Sequence, residues 1–578
     1  MAARESLGAD LVRLTALYDH HDVRGGDPAA PAAAELAALD EVLTATNALM
    51  EQVRMLSAYV TALITTDARD DAASSAFSAL QAELAGVQRL TTRFEAWVSR
   101  FGVEALTSGS PVAADHAHPI RQAVRSAEHQ MAEGEESLYA DLRLTGSSAW
   151  NKLHGDITSR LTATMPDGSA VPIAVVRGMA TDPDPAVRER AYRAELAAWE
   201  TAAVPLAAAL NAIKGEANTV NRRRGWADSV EPALLANAVE RPALEAMQEA
   251  AVASFPAFRR FLRAKARVHG RDGALPWWDL FAPVPSAPAV SWDDATAAVE
   301  EAFASYSSSL AALARRAIGE RWIDAEPRDG KRDGAFCMPV RGDESRVLMN
   351  FAGSVDSVQT MAHELGHAYH NTTLAHRTPL QRRTPMALAE TASIFCETIM
   401  VQAGLSASSG DRRLALLDLD LQGACQVVVD IHSRFLFERE VLERRQGAAL
   451  PASELCRLMT WAQQETYGDG LDGGTLHQYM WAVKPHYYSS AYYNWPYCFG
   501  LLFGIGLYAQ YQAEPERFRS RYDDLLSSTG LGTAAELAGR FGIDIASVDF
   551  WRSSLDVIGA RIDDYQRLVE EAGYRPSA

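Results

Sequence analysis

The chain has 578 residues, 48% of them hydrophobic and 22% charged, with a formal net charge of −19. That length and apolar content suit a large globular core and exclude a fibrous or disordered chain, while the acidic balance excludes nucleic acid and anionic membrane surfaces as partners. Five scattered cysteines without a CxxC pair exclude a disulfide framework and a thiolate zinc site, and are expected to be reduced, mostly buried side chains of a cytoplasmic protein.

The first residues, MAARESLGADLVRL, lack the basic-then-apolar pattern of a secretion signal. From Ala34 to about Arg100, Leu36, Leu39 and Leu43, then Leu49, Val53, Leu56, Val60 and Leu63, recur at helical spacing and predict long helices buried on one side. Thr107 to Pro119, with its Ser, Gly, Pro and Asp, reads as a loop, and helices resume near Arg121. Asp182-Pro-Asp-Pro-Ala-Val-Arg puts Asp and Pro before and in a first turn, predicting a helix that runs on through Arg190 and Trp199. Gly270 to Pro288 is a Pro- and Gly-rich connection whose Trp277-Trp278-Asp279 packs aromatics at a subdomain seam. Ser291 and Asp294 open a helix that reaches Ile318. The clearest β signal follows: Ala335–Val340 and Arg346–Phe351 predict two short strands about a turn at Gly342 and Asp343. Helix dominates from there on. The apolar stretch Cys498 to Tyr508 is about half a membrane span and is interrupted by Gly500, Gly504 and Gly506, so it is expected to be buried in protein.

His363-Glu364-Leu365-Gly366-His367 is an HExxH motif. On a helix its two imidazoles lie on one face, one turn apart, and reach a single ion together; the Glu beside the first His is placed to hold and deprotonate a water there. Ser354 or Asp356 is the expected N-cap. Gly366 weakens the helix locally, which close approach of another backbone or of substrate would explain. Catalytic zinc takes three protein ligands. His370 and Thr373 stand where the metzincin pattern needs Gly and His, so the third ligand lies further on. Ala387 to Glu397 reads as a second helix, reached through a turn at Thr378-Pro379 or Thr384-Pro385, and Glu390 is the well-spaced ligand. Glu397, on the same face, is expected to orient a ligand imidazole. His370 and His376 are expected to be structural or rim residues. The expectation is one Zn²⁺ per chain, held by His363, His367 and Glu390.

These residues resemble the oligoendopeptidase F family, within the thimet oligopeptidase-like group. The likeness lies in His363-Glu-Leu-Gly-His367 followed by Glu390-Thr-Ala-Ser, with Gly334-Ala-Phe-Cys337, Leu348-Met-Asn-Phe351, Ala212-Ile-Lys-Gly215 and Leu275-Pro-Trp-Trp-Asp279 alongside. It is specific from about Lys214 to Tyr508 and weak over the N-terminal helices. It implies a mainly α fold of two lobes around a deep central channel, with a small β-sheet beside the zinc helix. The expected organisation is an N-terminal helical domain, 1–197, acting as a gate or a cap, and a catalytic domain, 198–578. The resemblance implies cleavage of internal bonds in short oligopeptides. It also implies His and Tyr donors for the tetrahedral intermediate. His486 is carried over; Tyr492, Tyr493 and Tyr497 all stand as candidates, because the spacing after His486 differs from the thimet-type pattern. Aromatic core is the competing reading of that run. The expected mechanism adds an extended peptide along the strand near Leu348 to Phe351. One rival is a metallocarboxypeptidase, which needs a cation for a free C-terminal carboxylate; Arg341, Arg346, Lys484 or Arg382 would serve. Another is a non-catalytic peptide binder, which would have no need of Glu364. No sequence feature points to an oligomeric state.

Overall fold

Segments rich in Ala, Leu, Glu and Arg favour helix, and helices dominate the fold, with two small sheets among the described residues. The computed structural model describes residues 2–284 and 289–574, apart from the side chains of Ala2, Ala82 and Glu133. Residues 285–288, the end of the expected Pro-rich connection, lie outside the described residues. The chain forms two compact units. The first comprises Met1–Gln130, Ala289–Met400 and Leu507–Gly542; the second comprises Met131–Pro288, Val401–Gly506 and Ile543–Ala578. The contiguous division expected at 197/198 is not among these boundaries, and that point falls inside the helix Pro185–Arg223.

In the first unit, helices Ala33–Thr66 and Asp71–Val98 occupy the stretch where helical spacing predicts them. Leu39, Val42, Leu43 and Leu49 join Leu14, Trp97, Leu106 and Ile120 in one core, each large aliphatic side chain contributing roughly 1.5–3 kcal/mol on burial. The loop expected from Thr107 to Pro119 is instead the end of helix Val103–Gly109, the helix Pro111–Asp115 and the start of helix Ala117–Ala127. Its breakers act as caps. Ser110 Oγ accepts from the Ala113 amide at 3.0 Å, and Pro111 takes the first helical position, where a missing N–H costs nothing. The helix expected from Ser291 to Ile318 is likewise two, Trp292–Tyr306 and Ser308–Gly319. Ser307 sits extended between them and caps the second by accepting from the Leu310 amide.

Strands Phe336–Arg341 and Glu344–Leu348 pair antiparallel, with Cys337 opposite Val347 and Gly342 at φ 57° in the turn. A third strand, Ile323–Asp324, is too short to show a period; it pairs parallel on the other side of Glu344–Leu348. Glu344–Leu348 is therefore the central strand. Beyond it, the Met349 and Phe351 amides donate to Asp324 and Ala325 at 3.0 and 2.8 Å. A peptide cannot add along Leu348–Phe351 as expected, because the protein's own backbone already pairs there. The outer strand of the hairpin is Phe336–Arg341.

In the second unit, Asp184 caps the helix Pro185–Arg223 by accepting from the Ala186 amide at 2.8 Å, with Pro185 in the first turn as its sequence predicts. This is the one described helix long and apolar enough to cross a membrane. Its Trp199, Leu206 and Leu210 are packed in the unit's core with Phe437, Val441 and Trp481. Trp277 and Trp278 form a single 3₁₀ turn and meet Tyr467 and Tyr192 inside this unit. Asp279 is fully buried and accepts from Arg188 at 2.8 Å and Arg271 at 2.9 Å. Lys214 is buried against Glu438 at 2.5 Å, and Glu438 also accepts the Tyr492 amide at 3.0 Å. The five cysteines are all free; Cys337 is half-buried and the other four are buried, as expected. Cys498, Phe499, Leu502, Phe503 and Leu507 of the apolar C-terminal stretch are buried too.

His269 and His432 of this unit are both held to about 4, mainly by burial. A histidine whose folded pKa lies below its unfolded value of about 6.5 stabilises the fold above that pH. That contribution is lost as the pH falls from about 6.5 to 4, on the order of 3 kcal/mol per histidine. The thermal unfolding midpoint is expected to drop across that window. His432 is packed with Phe255 and Phe435, so His432→Leu should flatten part of the slope; an unchanged slope would count against burial as its cause.

Candidate metal centre

The helix Val355–Thr373 starts at Ser354, whose hydroxyl accepts from the Ser357 amide at 3.2 Å. Of the two expected caps, the serine is used. His363 and His367 follow one turn apart, their ring centroids separated by 4.9 Å. The second helix expected over Ala387 to Glu397 is broken at one residue. Met386–Ala389 ends and Thr391–Ser406 begins at Glu390, whose carbonyl accepts from the Ile394 amide at 3.0 Å.

Glu390 Oε2 lies 3.2 Å from His363 Nε2 and 3.3 Å from His367 Nε2. Two imidazole nitrogens and a carboxylate oxygen, all within 4.8 Å of one another, are the donor types and spacing that zinc takes. Glu397 Oε2 lies 3.0 Å from His363 Nδ1. Accepting the Nδ1 proton, it leaves Nε2 of His363 free to ligate. Ser393, which helical spacing did not single out, donates to Glu390 Oε2 at 2.7 Å. Its signal in the sequence was its place in the Glu390-Thr-Ala-Ser run.

Glu364 Oε2 is buried and has no hydrogen-bond partner among the described residues. Burial raises its pKa, against the pull of His363 and His367. Glu390 goes the other way: burial disfavours its charge, but the two imidazoles outweigh that and hold it well below the carboxylate range. Burial likewise opposes charge on His363, and Glu390 and Glu397 on either side of the ring overcome it and raise its pKa. The two rings, the ligand carboxylate and the unpartnered carboxylate beside them together fit a divalent zinc.

Gly366 backs onto the second helix. A Cβ there would stand 2.6 Å from Ser393 Cα and 2.7 Å from the Ala392 carbonyl oxygen. This is the close backbone approach that a glycine in mid-helix suggests. His370 is buried, 2.9 Å from Thr529 Oγ1 and 3.1 Å from the Leu526 carbonyl, and burial pushes it down to about 4. It is structural, and His376 is exposed, as expected for a rim residue.

In the second unit, His486 opens the short helix His486–Ser489 and stacks on Tyr493, centroids 4.4 Å apart; Tyr493 in turn meets Tyr497 at 6.0 Å. Burial, then Arg434, lowers the His486 pKa. Tyr492 is not part of this cluster. It is 3% exposed, has φ 51°, and its hydroxyl bonds Ser229 at 2.9 Å. Tyr487 and Tyr488 are wholly buried, so the aromatic-core reading holds for them.

The profile of peptidase family M3 matches residues 178–557, well over half of the chain, and that of oligopeptidase F matches residues 102–162. The plasmid-borne oligoendopeptidase F of Lactococcus lactis subsp. cremoris is 24% identical over 389 residues, 67% of this chain and 64% of that relative. The group B oligopeptidase PepB of Streptococcus agalactiae is 26% identical over 396 residues, 67% of this chain and 65% of that relative. The chain thus spans slightly less than two thirds of the length of these relatives. Among solved structures, the fold is similar to that of oligoendopeptidase-F from Enterococcus faecium, with TM-score 0.72 and 17% identity over 98% of both chains. It is also similar to that of PZ peptidase A, with TM-score 0.73 and 15% identity over 97% of this chain and 98% of the other. On the strength of the profile match, the chain belongs to peptidase family M3.

Proposed function

We propose that the chain hydrolyses internal bonds of short oligopeptides as a zinc-dependent endopeptidase with one Zn²⁺ per chain, acting in the cytoplasm. The convergence of His363 Nε2, His367 Nε2 and Glu390 Oε2 beside the buried Glu364 carries this reading. The relatives, named oligoendopeptidase F and oligopeptidase, support the substrate class, and five free cysteines are in keeping with a reducing compartment. When bound, zinc polarises a carbonyl and acidifies water. Glu364 takes the proton of the attacking water and delivers it to the leaving amine. Glu397 holds His363 in the tautomer that presents Nε2, and Ser393 fixes the Glu390 oxygen. An extended peptide pairs with the outer strand Phe336–Arg341. His486, Tyr493 and Tyr497 keep the oxyanion-stabilising role that the resemblance implies; Tyr492, committed to Ser229, does not.

The carboxypeptidase alternative lacks three of its four cations. Arg341 and Arg346 both face Glu344, at 3.5 and 3.4 Å, and Arg382 faces Glu51 at 3.7 Å. The test is a short internally quenched peptide, blocked at both ends, incubated with the protein with and without a zinc chelator, its products identified by mass spectrometry. Chelator-sensitive internal cleavage is expected. No cleavage by zinc-loaded protein, or trimming of unblocked peptides alone, would overturn the endopeptidase reading.

Glu390→Ala is expected to lower zinc from about one per chain to near none, read by atomic absorption on protein whose circular dichroism is unchanged. Retained stoichiometric zinc would remove Glu390 from the ligand set.

A further inference from the structure

Within the second unit, the segment around Val176 to Thr181, the helix Pro185–Arg223, the turn at Trp277 and the helical segments carrying Gln426 and Lys484 surround a cavity of about 210 Å³. Its walls carry charge, and almost all of it is answered. Arg177 pairs with Glu195. Arg188 is held by Asp279 at 2.8 Å and by the Asp182 and Pro183 carbonyls at 2.6 and 3.0 Å. Asp430 pairs with Arg434. Lys484 is the exception: among the described residues no carboxylate lies within 4.0 Å of its ammonium, and no acceptor bonds it.

Two further polar groups in the lining are unused. The Gln426 side-chain amide makes no hydrogen bond among the described residues, and the buried Trp278 Nε1 has no acceptor. Gln426 and Asp430, both in the lining, are the ends of a π-helical turn, a rare backbone form that recurs at functional sites. The remaining wall is largely aromatic: Tyr192, Trp277, Trp278 and Phe281.

We propose that this cavity binds a small aromatic monocarboxylate, its carboxylate on Lys484 and its ring among Tyr192, Trp277, Trp278 and Phe281. A half-buried ammonium in the lining, with no partner among the described residues, selects an anion. One free cation matches a single negative charge, which favours a carboxylate over a phosphate. With Glu195 and Asp430 already paired, the lining offers no free carboxylate to a ligand ammonium, which favours a simple acid over a zwitterion. Ring-lined walls select a flat apolar body. Burial, then Arg434, pushes Lys484 down to about 8, a cost that a bound carboxylate offsets. The proposal rests on no part of the peptide-hydrolysis reading.

The test is a titration of the full-length, metal-loaded protein with benzoate, followed by calorimetry and tryptophan fluorescence, with benzamide as the neutral isostere. Saturable benzoate binding and no comparable benzamide binding are expected. Lys484→Met should weaken benzoate about tenfold or more without lowering the unfolding midpoint, since the lost charge had no partner. Ala180→Trp, which fills the cavity from its wall and leaves the lysine in place, should abolish binding. Benzoate affinity should fall about tenfold per pH unit above 8 as Lys484 loses its proton. The other charges bearing on Lys484 are the pairs Arg177–Glu195 and Arg434–Asp430, with His486 two residues on. No benzoate binding to the wild type, equal binding of benzamide, or unchanged affinity in either folded variant would overturn the proposal.

Discussion

Glu364→Gln is expected to slow peptide hydrolysis by roughly 10²–10⁴-fold while zinc stays at about one per chain. The amide keeps the size of the side chain and removes the base. Little structural depends on the charge: Glu364 Oε2 is buried without a partner among the described residues, and Glu390 and Glu397 oppose its ionisation against the pull of His363 and His367. The unfolding midpoint should therefore hold or rise. The measurement is kcat/KM on the blocked peptide beside metal content and thermal unfolding. Activity within tenfold of the wild type would reject Glu364 as the proton carrier. The contrast with Glu390→Ala separates chemistry from ligation, because that variant should lose the metal and the activity together.

Gly366→Ala carries the second large expectation, and its sign is the informative part. On an exposed helix the change would stabilise by about 1 kcal/mol, since alanine is the better helix former. Here the added methyl would meet Ser393 Cα and the Ala392 carbonyl at 2.6 and 2.7 Å. Both are backbone atoms, which cannot swing aside as a side-chain tip can. The two helices must part, at a cost of about 1–3 kcal/mol, and they are the helices that bring His363 and His367 to Glu390. A lower unfolding midpoint and weaker zinc affinity are expected together. A raised midpoint with unchanged affinity would show that the helices are not held so closely.

Much of the candidate metal site was legible because its chemistry ties residue types to a short spacing. HExxH needs only one helical turn, and Ser354 caps that helix as its type suggests. Glu397 was readable from sharing a face with Glu390. The helix break at Glu390 was not, because nothing in Ala389-Glu390-Thr391 differs from an ordinary helix interior. The errors at Thr107–Pro119 and at Ser307 share one cause. Ser, Pro and Asp both end helices and begin them, and only packing decides whether a short helix survives between two caps. Strand Ile323–Asp324 has no period to read, and its pairing turned the supposed free edge at Leu348 into a strand centre. Lys214 and Asp279 stood out as family landmarks, but their reason is a buried partner far away in the chain, Glu438 and Arg188. The place of Tyr492 was hidden for the same kind of reason, since its hydroxyl partner Ser229 is equally remote in sequence.

The first unit's scattered make-up bears on how the protein is born. All three candidate metal ligands have left the ribosome's catalytic centre once Glu390 is made, yet the unit that houses them takes its last segment from Leu507–Gly542. That segment braces both metal helices: Tyr522 donates to the Thr391 carbonyl at 3.1 Å, and Asp523 accepts from the Tyr369 hydroxyl at 2.7 Å. At 5–20 residues per second, translation leaves a gap of roughly ten seconds between ligands and braces. Throughout that gap the nascent chain carries the candidate ligand set without the Tyr522 and Asp523 contacts.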